Sequence, residues 1–306
     1  MKTYSPKIQA LAMIGLVADT IIWGASFTLV KWTITEIDAY YFLFLRFLVA
    51  FLFLAIIFRK RILKAKKSEI TASLNLSIYL SIGYLAQTEG LKYTTAGNSA
   101  FITGLYIILI PLLSALSKKG REEITRPAII GVMISFFGLY LLTYHGVQGI
   151  NVGDYITLIC AFAFSWHIIL TKRMAHRHDI VPIVMFQLFF AALMFGILSF
   201  IKGVPSLHLS KIAVITIIIT GIFATSLAFL IQTTAQRMIS PTRAGIIFGM
   251  EAVFGALFGW WWGGEIMTKL AFIGACFIMS GVILTEMPLI FSIAKSRMIK
   301  YLRSES

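Results

Sequence analysis

The chain has 306 residues, of which 58% are apolar and only 13% charged, with a formal charge of +14. Soluble domains run nearer about 45–50% apolar and about 25% charged, so a soluble fold is excluded and a lipid bilayer is the expected surrounding. The basic residues form short clusters between apolar runs, without a basic stripe or a zinc, Gly-rich or RNA-binding module, which argues against a nucleic-acid partner.

Ten apolar runs follow in order, at about 8–31, 38–58, 70–91, 94–117, 127–144, 152–171, 180–201, 211–235, 241–263 and 266–287. Each is close to the roughly 17–25 residues that cross hydrocarbon as a helix. The first is too long for a cleavable signal and reads as a retained span. Turn and charge signals such as TEID, RKRILKAKKSE, YTTAG, KRMAHRHD and QRMISPTR separate the runs and leave no room for a soluble domain. Cys160 and Cys276 both lie inside runs and read as small buried hydrophobes; no metal-ligand spacing and no cofactor motif is expected.

Of the 27 Lys and Arg, 21 fall at the two termini and in the connections after runs 2, 4, 6 and 8. The positive-inside rule then puts both termini in the cytoplasm of a multi-pass protein of the cell (inner) membrane, with the basic clusters as anchors near anionic lipid. The segment from Gly83 to Leu113 matches the segment 145 residues later without a gap: Gln87 and Thr88 stand against Gln232 and Thr233, Gly104 against Gly249, Tyr84 against Phe229, and Tyr106 against Glu251. The expected fold is therefore all-α, with ten transmembrane helices in two five-helix repeats. The domains are 1–146 and 147–291, followed by a basic tail at 292–306. Five is odd, so the second repeat is inverted relative to the first, as in many transporters.

Trp23-Gly24, Arg46 within FLRFLVAF, GLKYTTAGNSAFITGLYIILIPLLSAL and MEAVFGALFGWWWGGEIMTKLAFIGACFIMSGV resemble the EamA-type proteins of the drug/metabolite transporter superfamily, over nearly the whole chain. The resemblance implies a ten-helix inverted-repeat carrier, often an exporter of amino acids or related metabolites. The family usually has Glu-Pro in span 9; here Ala252 follows Glu251, so any bend must come from Gly249 or Gly255.

Glu251 leads the candidate site residues, because a carboxylate at mid-membrane depth is costly unless it binds substrate, carries a proton or is satisfied by a neighbouring helix. Asp19 and Arg46, on spans 1 and 2, lower each other's cost if they pair. Glu89 lies near the outer end of span 3. Trp23, Tyr84, Phe101, Tyr106, Trp166 and Phe229 are candidates to line a central cavity, or to pack between helices. His167 can titrate near neutral pH or be satisfied structurally. Gln87, Asn98 and Gln232 need polar partners in hydrocarbon, from one another or from substrate. Small residues at Gly97, Ala100 to Gly104, Gly131, Ser135, Gly138, Gly245, Gly249, Gly255, Gly274 and Gly281 mark faces of close helix approach, and Pro111 a bend in span 4.

No GxxxxGK[ST] string is present, so the expectation is no enzyme and no ATP-driven pump. The leading reading is a secondary transporter of a small organic metabolite, most simply an exported amino acid, working by alternating access and open to proton coupling. A passive pore and a multidrug or toxic-compound efflux carrier stay as alternatives.

Overall fold

The computed structural model describes residues 4–116, 125–143, 151–203 and 209–302, with backbone alone for 143 and 295–302. The expected join at 144–151 and the basic loop after run 4 fall largely outside these residues. Every described element is helical: α1 (Pro6–Thr33), α2 (Ala39–Ile57), α3 (Arg59–Ile62), α4 (Lys67–Gly90), α5 (Ala96–Gly104), α6 (Tyr106–Leu116), α7 (Arg126–Thr143), α8 (Val152–Arg177), α9 (Ile180–Lys202), α10 (Lys211–Gly221), a π-helical turn (Ile222–Leu227), α11 (Ala228–Gln236), α12 (Pro241–Phe248), α13 (Met250–Trp261) and α14 (Lys269–Leu302).

Among the described residues, eight segments are long and apolar enough to cross a membrane. The run at 70–91 is helical as α4 but misses that standard, because serines, threonines and an asparagine interrupt it; Ser73, Ser77, Ser81 and Thr88 are turned into the protein. The run at 127–144 is the shorter apolar helix Arg126–Leu142. The outer surface is greasy: Ile14, Met133, Phe200 and Phe272 are each more than 60% exposed. Such a surface is stable against lipid and not against water. Trp260, Trp261 and Trp262 are likewise exposed at the end of α13. Cys160 is buried, Cys276 exposed, and both are free thiols.

Helix ends follow local chemistry. Asp38 and Asp179 cap α2 and α9, accepting from the amides of Tyr40 and Val181; Thr95 and Ser240 cap α5 and α12, accepting from the amides of Asn98 and Arg243. Side-chain oxygens there satisfy amides that have no partner within the helix. The residues 172–177 contain no helix breaker, so α8 continues through a stretch expected as a turn. Similarly, α14 accommodates Pro288 and continues to Leu302, into the segment expected as a tail. Spans 4 and 9 are each interrupted, at Leu105 and at Gly249. Pro111, the expected bend in span 4, lies inside α6 instead.

The helices pair across the middle of the chain. α2 runs antiparallel to α9, with Asp38 near Lys202, Phe47 against Phe195 and Arg61 bonded to Asp179. α1 packs on α13, and α8 packs on α5 and α6. The most extensive pairing is between α7 and α14. A Cβ on Gly131 would come within 2.7 Å of the Gly281 carbonyl, and one on Gly281 within 2.6 Å of the Gly131 carbonyl; Gly138 and Gly274 stand in the same reciprocal relation at 2.6 and 2.4 Å. Two helices that meet as i on j and j on i are related by a local two-fold axis. The backbones touch because no side chain intervenes.

Two outcomes are expected. Gly138→Ala or Gly274→Ala forces the helices apart and lowers stability by about 1–3 kcal/mol, the usual cost of overpacking, read as an earlier thermal transition by fluorescence-detected gel filtration. The second concerns Asp38: burial raises its carboxyl, but hydrogen bonds from Lys202 and the Tyr40 amide outweigh burial and hold it below the ordinary 3.8. A lowered carboxyl stabilises above its unfolded value, and the contribution fades as pH falls through the folded one. Wild type should therefore melt slightly above Asp38→Asn at neutral pH, by less than about 1 kcal/mol for so exposed a pair, and the gap should close on acidification below about pH 4.

Candidate functional site

A narrow cavity lies between α1, α2, α4, α6, α8, α11, α12 and α13. Trp23, Phe27, Tyr84, Tyr106, Phe164, Phe229 and Phe248 supply aromatic walls, while Ser26, Arg46, Gln87, Thr88, His167, Gln232 and Glu251 supply polar groups. It extends toward Val30 and Leu91, at the last turns of α1 and α4. Aromatic and apolar walls with a few convergent polar groups are the lining that suits a small organic ligand.

The interruption at Gly249 builds one polar corner. The Ala252 amide bonds to the Gly249 carbonyl at 3.2 Å, three residues back, which leaves the Phe248 carbonyl without its usual intrahelical partner. The Tyr106 hydroxyl fills that role, 2.8 Å from Phe248 O, and lies 2.8 Å from Glu251 Oε2. One hydroxyl proton cannot fully serve two acceptors. The arrangement suits an ionised Glu251 accepting from Tyr106, and equally a protonated Glu251 donating to Tyr106 while Tyr106 donates to Phe248. The two residues that differ at matched positions of the repeat are thus bonded to each other. The helix is interrupted at Gly249 even though Ala252 stands where the family usually has proline. A Cβ at Gly249 would meet the tip of the Ile107 side chain at 2.2 Å, so α6 approaches closely there because the position is glycine.

The π-helical turn builds the second corner. Its altered register frees backbone acceptors. Trp23 Nε1 donates to the Ala224 carbonyl at 2.8 Å, and Arg46 donates to Thr225 Oγ1 at 2.8 Å and to Ala224 O at 3.4 Å. The Arg46 guanidinium lies over the Tyr84 ring at 4.9 Å, an attraction that strengthens away from water. Tyr84 in turn meets Phe164 edge-on at 5.3 Å, and Trp23 packs at 5.4 Å from Phe248 and 6.1 Å from Phe229. His167 Nε2 is paired with Gln187 Oε1 at 3.1 Å, and Gln87 donates to Thr103 at 3.1 Å.

Nine of the sequence candidates therefore line one cavity: Trp23, Arg46, Tyr84, Gln87, Tyr106, His167, Phe229, Gln232 and Glu251. Five do not. Trp166 sits next to His167 and is turned roughly 100° away around α8. Phe101 packs on the core beside the cavity, and Asn98 lies in the capped first turn of α5. Glu89 pairs with Lys92 at 2.8 Å near the end of α4.

Asp19 is fully buried, and both its oxygens lack a hydrogen-bond partner among the described residues. The expected pairing with Arg46 does not form, for a geometric reason. Gly15 and Trp23, one turn to either side of Asp19, contact Ile231 and Ala224, so this face of α1 meets the eighth span. Arg46 reaches the same π turn from α2 and directs Nε and one Nη donor to it. Sequence reasoning missed Phe164, Phe248 and the π turn. Gly83 pointed to the first, since its missing side chain is the space Phe164 fills, with a Cβ–ring distance of 2.3 Å.

Removing the Tyr106 hydroxyl tests the first corner. Tyr106→Phe is expected to cost about 1–3 kcal/mol of stability by leaving buried acceptors unpaired. Adding Glu251→Gln should cost less than the two single changes summed, because the residues share one bond; thermal unfolding in detergent across the four proteins reads this out.

A family model described as the EamA-like transporter family matches the chain twice, over residues 10–144 and 151–287. An uncharacterized transporter of Archaeoglobus fulgidus is 29% identical over 279 residues, covering 90% of this chain and 86% of that protein. The uncharacterized transporter YoaV of Bacillus subtilis is 23% identical over 280 residues, covering 88% and 94%. A protein crystal structure superposes with a TM-score of 0.75 over 92% of this chain and 98% of its own, at 15% identity, a likeness of fold alone. With the family model covering most of the chain in two successive copies, the chain belongs to the EamA-like transporters of the drug/metabolite transporter superfamily, multi-pass membrane proteins that move small solutes.

Proposed function

We propose that this transporter is a secondary carrier that exports a small zwitterionic metabolite, most simply an amino acid, through the central cavity by alternating access. The observation that carries the reading is the pair of unlike charges on one aromatic-walled cavity. Arg46 has the geometry for a carboxylate, and Glu251 the charge for an ammonium group. They come from different halves of the chain and form no ion pair with each other among the described residues. The aromatic residues between them give room for an apolar or aromatic side chain.

The scaffold of this reading is ten spans in two inverted five-helix units, 1–146 and 147–291. Several observations support it: the duplicate family match, the paired Asp caps on α2 and α9, the hydroxyl caps on α5 and α12, and the reciprocal antiparallel contacts of α7 with α14. Inverted units can exchange roles and so open one cavity to either side in turn. The distribution of Lys and Arg favours both termini on the cytoplasmic side. Proton coupling belongs to the same reading. Asp19 is a buried carboxyl group without a hydrogen-bond partner among the described residues, and Glu251 can hold a proton without losing its bond to Tyr106.

Proteoliposomes with pH set independently on each side, tested against a panel of amino acids, examine the proposal. Saturable flux with counterflow is expected, and fast non-saturating conductance would replace the carrier by a pore. Arg46→Gln should weaken binding of the transported zwitterion at least about tenfold, the scale of a lost charge-assisted bond. Glu251→Gln and Asp19→Asn should each abolish pH-driven accumulation in protein that still elutes as a folded species. Unchanged pH-driven flux in both variants sinks the coupling.

A further inference from the structure

A second cleft, far from the aromatic cavity, lies where α3 and the start of α4 meet the turn between α8 and α9. Lys60, Arg61, Lys64, Lys66 and Arg177 line it, together with His178 and the acids Glu69 and Asp179. The open space is about 1250 Å³.

The acids do not cancel the bases. Asp179 caps α9 and bonds Arg61; Glu69 accepts from the backbone amides of Lys66 at 2.8 Å and Asp179 at 3.2 Å. Both carboxylates are thus committed to holding the chain in place. The side chains of Lys60, Lys64, Lys66 and Arg177 have no carboxylate within ion-pairing distance among the described residues. The N-termini of α4 and α9 also open here and add their positive ends to the same space.

The surroundings are amphiphilic. Ile56, Ile57 and Leu63, on the same short stretch of chain as Lys60 and Lys64, are 76%, 53% and 89% exposed. Apolar side chains that exposed, on a protein whose outer surface faces lipid, belong against acyl chains. The second half has no matching cluster: the connection that follows α9 carries only Lys202 and Lys211.

We propose that this cleft binds the phosphate-bearing headgroup of an anionic phospholipid, with the acyl chains lying along Ile56, Ile57 and Leu63. Basic clefts beside transmembrane helices hold such headgroups by the combined pull of several cations, each contributing several-fold in affinity. A free phosphate compound would use the same cations and leave the apolar residues idle.

The test uses the full-length protein in nanodiscs of phosphatidylcholine doped with phosphatidylglycerol, then native mass spectrometry after gentle release into detergent. Wild type should retain phosphatidylglycerol in preference to phosphatidylcholine, and millimolar glycerol phosphate should not displace it. The triple change Lys60→Gln, Lys64→Gln and Arg177→Gln should reduce retention at least about tenfold, while Lys211→Gln with Lys269→Gln leaves it unchanged. Equal retention by the triple variant overturns the proposal, and so does full displacement by glycerol phosphate, which would mark a soluble anion site. Because the changed residues are exposed or at the rim, gel filtration and circular dichroism should show an intact fold; if the triple variant elutes misfolded, Lys64→Gln alone, expected to lower retention several-fold, decides by the same measurement.

Discussion

Hydrocarbon offers no water to an unpaired polar group, and the interior of this transporter is arranged around that constraint. Where a straight helix would keep its carbonyls for itself, two of the disturbed helices release acceptors that hold polar side chains of the cavity. The π turn in the eighth span receives Trp23 and Arg46, while the interruption at Gly249 receives Tyr106 and, through it, Glu251. Irregular backbone in a membrane is tolerated where it is buried in protein, and here it stands directly behind side chains that line the cavity. The same constraint makes Asp19 conspicuous, since nothing among the described residues meets its carboxylate.

The halves contribute unequally to that cavity. At the matched positions of the repeat, Tyr106 and Glu251 differ in chemistry yet touch, so the polar corner straddles the two halves. A symmetric scaffold with two copies of either residue would give two carboxylates in conflict or two phenols without charge. Divergence at that one position turned a duplicated surface into a complementary pair. The other charge, Arg46, stands where α2 meets the π turn of the second half, and the first half has no π turn in α4 to match it.

Much of this was legible in the sequence because hydrophobic runs, repeat spacing and small residues act locally or by regular offset. The positions of the helices, the close faces at Gly131, Gly138, Gly274 and Gly281, and nine cavity residues followed from such signals. Rotation about a helix axis was the weak point: Trp166 and His167 are neighbours in sequence, yet only His167 reaches the cavity. Pairing across helices was weaker still. Asp19 and Arg46 have opposite charge and similar depth, but Arg46 is drawn to the π turn, whose residues IFATSL carry no proline or glycine to announce it. The polar face of α4 was read as one more apolar run because its serines were averaged with the leucines between them.

The glycine seam between α7 and α14 has a consequence for how such a chain can change over time. Most helix interfaces absorb substitution by shuffling rotamers, but here carbonyl oxygens of one backbone stand where side chains of the other would begin. Neither helix can gain a methyl group unless its partner withdraws, and a glycine partner has no atoms to give up. The seam therefore resists gradual drift from either side, and it ties the history of residues around 131–138 to that of residues around 274–281, however freely the lipid-facing sides of both helices vary.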